Sequence, residues 1–414
     1  MKPKIHNNHF CLLSALSVIF CLFSVVPCYA TPTDIEIPIQ ASITSKVFVC
    51  TDDNLVATYI GKSCPPEIKV FYPDGTHYKT IQLSNETSDL EYLQISDDRL
   101  YYTEYDRSVI WTSRTKTVYE YNMTTNKKSV IYSAGFYNNV EPRIVKIAAH
   151  EDYVIIYEEF GGSAIILHKL STGTNRTIFT SNKMIHGLSI DGDRIMWGCE
   201  RTDGEPGREI HVYNISSGRD YIIPESRSIK TWGYGDISED YVVWSRTAEE
   251  PDTSCGHPSL LTAGCEILLT DLNSGDTTVV EEINTISTPY ISGDQIAYLK
   301  KPELDFENTD TGLIRIYDLK KEAFTNAGSD VAGISDFDGE MLLWYRFHPA
   351  SHWMTAISGN IPDVTDQKSI QDNQEALEKA QNIRSQHESP IDFPVIISAL
   401  IIDIVYLVSA NKRE

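Results

Sequence analysis

Polar turns running into short apolar strands that end on an aromatic recur along most of the chain. The clearest copy is Asp236–Ile237–Ser238–Glu239–Asp240–Tyr241–Val242–Val243–Trp244. Close copies run from Ser189 to Trp197, from Ile291 to Tyr298 and from Ile95 to Tyr102. Weaker ones begin at His150, Asp338 and Thr51. Aligned on the acidic turn residue, the copies fall at 53, 98, 152, 193, 240, 294 and 340, with steps of 45, 54, 41, 47, 54 and 46 residues. Each phrase predicts two strands joined by a tight turn. A second hairpin follows it, as in Glu209–Gly218 with Tyr221–Ile223, and in Glu266–Gly275 with Thr277–Val280. The Gly of each Ser–Gly turn supplies the positive φ that such turns need. Four strands per copy at a period of about 40–50 residues predict a β-propeller with one copy per blade.

The last copy is incomplete. After Trp344 only one further strand is evident, around His352–Ile357. The missing outer strand is expected at the other end of the chain, where Asp34–Ile39 alternates polar and apolar residues. Pairing that strand with the last blade would close the ring and protect both edges, and Pro38 is tolerable on an outermost strand. The expected fold is therefore all-β: a seven-bladed β-propeller of four-stranded blades over residues 31–360, its last blade closed by the N-terminal strand.

The phrase I-S-G/D-D-x-I/V-V-W, followed by I-Y-x-Y-D-L-x-S/T-G, resembles the TolB-like, WD40-like propeller repeat, with its best copies at 189–218, 236–275 and 290–319. It is especially similar to the propellers of archaeal surface proteins of the surface-layer type, as in methanogens. The resemblance covers some 325 residues. It implies a propeller, an N-terminal signal and often a C-terminal membrane anchor, and is unspecific for activity. The first and third copies depart from the pattern, with Ala57 and Ile156 at the aromatic position.

The chain ends add a topology. Lys2 and Lys4, the apolar stretch Leu12–Val26 and Pro27–Ala30 read as a signal peptide over residues 1–30. Residues 361–390 are polar and read as a stalk. Residues 391–410 are largely apolar, with Asp403 inside the run, and are expected to be a transmembrane helix, with 411–414 as a cytoplasmic tail carrying Lys412 and Arg413. The body is thus expected on the extracellular face of the cell membrane, single-pass with its C-terminus inside. The net charge of −23 makes nucleic acid an improbable partner. Four Asn-x-Ser/Thr triplets begin at Asn85, Asn122, Asn175 and Asn214. Five cysteines remain after the signal: Cys50, Cys64, Cys199, Cys255 and Cys265. A disulfide is expected between Cys255 and Cys265, which bracket a Gly- and Pro-containing loop. Cys50 with Cys64 is a second candidate.

Motifs for chemistry are scarce. Gly161–Gly162–Ser163–Ala164 lacks the second glycine of a nucleophile elbow. The histidines show no metal-ligand spacing, and His211 reads as a strand residue. Asp97–Asp98 and Asp191–Gly192–Asp193 look like pieces of calcium loops but read as hairpin turns. No cofactor is expected beyond structural or surface Ca2+. The recurrent aromatics Tyr102, Trp197, Trp244, Tyr298 and Trp344 are expected to pack between blades. One rim carries long acidic loops, with Glu200, Arg201 and Asp203 in one, Glu249, Glu250 and Asp252 in the next, and Glu303, Asp305 and Asp310 in the third. Long loops on a rigid scaffold are where binding usually resides. The favoured reading is a non-enzymatic, membrane-tethered surface propeller contacting surface proteins, glycans or the envelope. The alternative is an extracellular polysaccharide lyase or hydrolase with its site in the propeller funnel.

Overall fold

Antiparallel hairpins account for nearly all the regular structure of the computed structural model. It describes residues 35–42, 47–52, 55–60, 66–106, 117–135, 143–228, 230–247, 264–283, 287–301, 312–339, 341–348 and 353–360. The chain divides into two compact units, Met1–Val364 and Thr365–Glu414, and the described residues all lie in the first. The first strand is β1 (Ile35–Ser42). Sheet 1 follows with β2 (Val47–Asp52), β3 (Leu55–Ile60), β4 (Glu67–Phe71) and β5 (His77–Gln82). Sheet 2 has β6 (Ser88–Ser96), β7 (Arg99–Asp106), β8 (Thr117–Asn122) and β9 (Lys127–Ser133). Sheet 3 has β10 (Arg143–His150), β11 (Tyr153–Glu159), β12 (Ser163–Lys169) and β13 (Thr174–Ser181). Sheet 4 has β14 (Ile185–Asp191), β15 (Arg194–Glu200), β16 (Arg208–Asn214) and β17 (Arg219–Ile222). Sheet 5 has β18 (Thr231–Ser238), β19 (Tyr241–Thr247), β20 (Cys265–Asp271) and β21 (Thr277–Ile283). The rest are β22 (Tyr290–Ser292), β23 (Gln295–Lys300), β24 (Gly312–Asp318), β25 (Ala323–Phe337), β26 (Met341–His348) and β27 (Trp353–Asn360). Together with β1 they form one seven-stranded sheet, in the order β1-β27-β26-β25-β24-β23-β22.

The expected seven separate four-stranded blades are therefore corrected to six: five of four strands and one double-width sheet. The cause is β25. Its first half pairs with β24 and its second half with β26, and Val331 pairs with Gly312 on one side and Arg346 on the other. Gly328, at φ +64°, lets this strand bend without leaving either ladder. Between sheets 4 and 5 the corresponding contact is a lone bridge, Arg208 to Ser228. There a short 3-10 turn, Pro224–Ser226, interrupts the chain, and its proline cannot donate to a ladder. The transmembrane helix expected at 391–410 lies outside the described residues, and among those described no helix is long and apolar enough to cross a membrane.

β1 pairs with β27, from Ile35 opposite Ser358 to Ser42 opposite Trp353, with a register shift across Pro38. In sheet 1 the hairpin pairs Asp52 with Leu55, as Ser238 pairs with Tyr241 in sheet 5. Alignment on Asp53 is thus one residue out of register, and the aromatic position falls on Thr58 rather than Ala57.

The core lies between consecutive sheets. On each innermost strand, alternate side chains face opposite ways. Ile237 packs back on Met196, Ile210 and Val212 of sheet 4, and Ile291 packs on Val243, Cys265 and Ile267 of sheet 5. Val56 and Phe71 meet Met341 and Leu343, joining the first sheet to the last. Tyr102, Trp197, Trp244, Tyr298 and Trp344 are all buried in these clusters. Removing aromatic side chains of this size from water contributes several kcal/mol each. The acidic turn residues explain the recurring phrase. Asp193 accepts hydrogen bonds from Ser216 N and Oγ at 2.9 and 2.7 Å, and Asp152 accepts the same pair from Ser171 at 2.7 and 2.6 Å. The Asp of the first hairpin thus holds the Ser turn of the second, which is a structural role.

Candidate functional site

The innermost strands surround an axial funnel of about 610 Å³. The side chains that alternate with the packed apolar set lean towards the following sheet and into this bore. Nearest the hairpin turns they include Asp52, His150, Asp191 and Asp338, and one step deeper they include Cys50, Ser189, Asp236, Tyr290 and Asp336. Lys146, Tyr234 and Thr288 come one step further.

Four of the aspartates have a common task. Asp336 Oδ2 accepts the Thr51 N–H at 2.9 Å, and Asp236 Oδ2 accepts the Ile291 N–H at 3.0 Å. Asp191 Oδ2 accepts the Glu239 N–H at 2.6 Å, and Asp52 accepts the Asp97 N–H. Each carboxylate therefore satisfies a backbone donor on the strand or turn that follows it round the ring. An innermost strand has no neighbour on its axial edge, so its N–H groups need such partners. Asp236 and Asp336 also accept the N–H of the next residue in their own strand, at 2.9 and 3.0 Å. Ser189 donates to Asp236.

Burial dominates the electrostatics. It pushes the Asp336 carboxyl up to about 7, against the two N–H bonds and with help from Asp236 and Asp338. Asp236 is likewise raised by burial, while its hydrogen bonds and Lys146 pull it back. Burial lowers Lys146, and the charges of Asp236 and Asp336 oppose that shift. Lys146 is enclosed by the bore, yet its side chain stays partly accessible from inside it. It makes no ion pair or hydrogen bond with any described residue. Burial also raises Tyr290. His150 Nδ1 lies 3.6 Å from Asp191 Oδ1. Among the described residues one lysine thus faces several carboxylates, so this lining is acidic like the whole chain.

The loop residues expected to form a binding rim are only partly described. Glu249, Glu250, Asp252, Glu303, Asp305 and Asp310 lie outside the described residues, as does Cys255. Cys265 is buried on β20. Glu200 pairs with Lys183 at 3.2 Å, and Arg201 pairs with Asp203 at 2.5 Å, so these charges are neutralised locally. Glu104 binds Lys128 at 2.6 Å, and Arg246 binds Glu266, so neither lines the funnel. Sequence reasoning passed over Lys146, Asp236, Tyr290 and Asp336. Their signal was their place on alternate positions of the innermost strands, two or more residues before each turn.

A second polar cluster lies off the axis, in sheet 4. Cys199, Glu209 and His211 are all buried there, with ligand atoms within 4.8 Å of one another. Burial pushes the Cys199 thiol up to about 12, with Glu209 and Asp220 adding to the shift. His211, expected to be a plain strand residue, is held between two carboxylates and stacks on Trp197.

No protein-family model matches the chain, and no curated protein matches it. Solved structures do. An oligogalacturonate lyase in complex with manganese is 10% identical, with a TM-score of 0.54 over 80% of this chain and 96% of its own. The β-propeller domain of the trilobed protease from Pyrococcus furiosus is 10% identical, with a TM-score of 0.53 over 78% of this chain and 99% of its own. The tricorn protease is 12% identical, with a TM-score of 0.51 over 80% of this chain but 36% of its own. At such identities these likenesses show the fold alone, a β-propeller. The propeller implied by the resemblance to TolB-like repeats is thus the fold observed.

Proposed function

We propose that the protein is a non-enzymatic propeller of the surface-layer type, acting at the outer face of a cell membrane and contacting proteins, glycans or envelope components. The observation that carries this reading is the use of the axial carboxylates. A glycoside hydrolase of the usual kind needs two carboxyl groups free to exchange protons or attack. Here Asp236, Asp336, Asp191 and Asp52 are each hydrogen-bonded to backbone N–H groups of the next strand or turn. The charge of the bore argues the same way. Carboxylates outnumber Lys146, so the funnel disfavours polyanions such as oligogalacturonate and suits neutral polyhydroxyl or cationic groups.

A second reading rests on Lys146. A desolvated lysine with no ion-pair partner among the described residues and a lowered pKa has the properties of a general base. That would suit an eliminating polysaccharide lyase working in the funnel.

One experiment separates the two. The full chain is incubated with panels of neutral and acidic polysaccharides, and both binding and bond cleavage are read. Saturable binding without new chain ends or unsaturated products supports the first reading. Turnover that disappears in Lys146→Met overturns it in favour of the second.

A further inference from the structure

Cys199 on β15 stands directly opposite Glu209 on β16, and Trp197 directly opposite His211. Residues paired in this way, and those two apart, share one face of the sheet. Three different donor atoms, a thiol sulfur, a carboxylate oxygen and an imidazole nitrogen, therefore meet in a buried space, within 4.8 Å of one another. His211 Nε2 and Glu209 Oε1 are 3.3 Å apart. A tetrahedral ion with bonds of ~2.0–2.1 Å to nitrogen and oxygen needs an edge of about 3.3–3.4 Å between them.

The surroundings fix each donor in place. His211 Nδ1 lies 2.8 Å from Asp220 Oδ2. A proton donated along that bond leaves Nε2 with its lone pair pointing at Glu209, which is itself an acceptor. Two acceptors facing each other call for a positive charge between them. A carboxylate behind a ligating imidazole is the usual outer support of a metal-binding histidine. The ring is oriented by stacking on Trp197 at 5.0 Å and 8° and by Phe179 of sheet 3 at 5.2 Å. Thr202, in the loop after β15, donates its N–H and Oγ–H to Glu209 Oε1 at 3.0 and 2.7 Å. Arg227 holds the other carboxylate oxygen at 3.0 Å. Among the described residues the Cys199 sulfur has no hydrogen-bond partner.

We infer that Cys199, Glu209 and His211 form a buried binding site for a divalent cation of the zinc class. The mixed sulfur, nitrogen and oxygen set selects such an ion over calcium or magnesium, which prefer oxygen alone. On binding, the Cys199 S–H bond breaks, the sulfur bonds the metal and the proton leaves to buffer. The site ties the two central strands of sheet 4 together beneath the loop that carries Arg201 and Asp203. It is independent of the funnel.

The test uses the full chain freed of metal by chelation, then titrated with zinc against a competing chromophore and, separately, with cobalt(II). One equivalent of zinc is expected to bind. Cobalt is expected to give the intense visible bands of a tetrahedral ion together with thiolate-to-cobalt charge transfer. Cys199→Ser should lose the charge-transfer band. Asp220→Asn, which keeps all three ligands and changes a partly exposed side chain, should weaken zinc binding by about 10–100-fold. Absence of stoichiometric uptake would mean that a proton, not a metal, bridges His211 and Glu209, and would overturn the site. A cobalt spectrum without the thiolate band, or zinc binding unchanged in Asp220→Asn, would overturn the ligand assignment.

Discussion

Single side chains decide how this protein responds to pH. Asp336, at about 7 in the fold, lies above the ordinary carboxylate value of about 4. Between those values the folded state keeps a proton that the unfolded chain has released. That stabilisation is full below pH ~4 and is lost as pH rises through about 7; over the whole window it is on the order of 2–4 kcal/mol. His186 acts in the opposite sense, because burial and Arg208 hold it at about 4. The effect of Asp336 is therefore read as a difference between proteins. Asp336→Asn should flatten the fall in Tm from pH 5 to pH 8 relative to wild type, and an unchanged slope would exclude Asp336 as its source. The tryptophans offer a second comparison. Trp244 Nε1 donates to Thr270 Oγ1 at 3.0 Å, whereas the Nε1 of Trp344 has no partner among the described residues. Both are buried, so Phe leaves a similar gap at each. In denaturant unfolding Trp244→Phe should cost about 1 kcal/mol more than Trp344→Phe. Equal costs would deny the Trp244 bond any net contribution.

At the scale of strands and hairpins, close approach explains why certain positions tolerate no side chain. A Cβ on Gly235 would lie 2.2 Å from the Val243 carbonyl oxygen and 2.9 Å from Met196 Cε. Gly235→Ala should therefore destabilise by about 1–3 kcal/mol or more. Gly135→Ala, which meets nothing within 4 Å, should stay within about 0.5 kcal/mol. Chemical denaturation of both checks the contrast. The hairpins were legible in the sequence because their causes are local: Asp and Ser side chains at the turns, Gly at positive φ, and strands ending on an aromatic. The number of sheets was not legible, since it turns on whether one strand is broken. Pro224 marks such a break before sheet 5. Between Ala323 and Phe337 there is no proline, and Val331 joins both neighbours. Lys146 and Asp336 were equally hard to see. Their only local signal is an alternate position ahead of a turn, which many residues share, and they matter because separate strands bring them to one bore. His211 is the buried strand residue that its alternating sequence predicts, but its neighbours Cys199 and Asp220 lie on the two flanking strands and could not be paired with it from local sequence.

For the whole molecule, closure depends on the first strand. β1 covers the edge of β27, and Val56 and Phe71 meet Met341 and Leu343 across the seam. Deleting residues 31–42 should expose that edge. The truncated chain is expected to lose several degrees in Tm, to be cleaved faster near residue 353 and to self-associate. A truncation that unfolds like the full chain would show that the apolar seam suffices without the strand. The same pairing places a demand on synthesis. Ile35 waits for Ser358, which is 323 positions later by their numbers. At 5–20 residues per second the gap is roughly 15–65 s. Through that interval β1 has no partner and the axial N–H of Thr51 has no Asp336 to accept it. The ring therefore cannot be completed piecemeal from its N-terminus. The ribosome hands the cell an open arc with two raw edges, and any holding factor the protein needs must act before the final strand emerges.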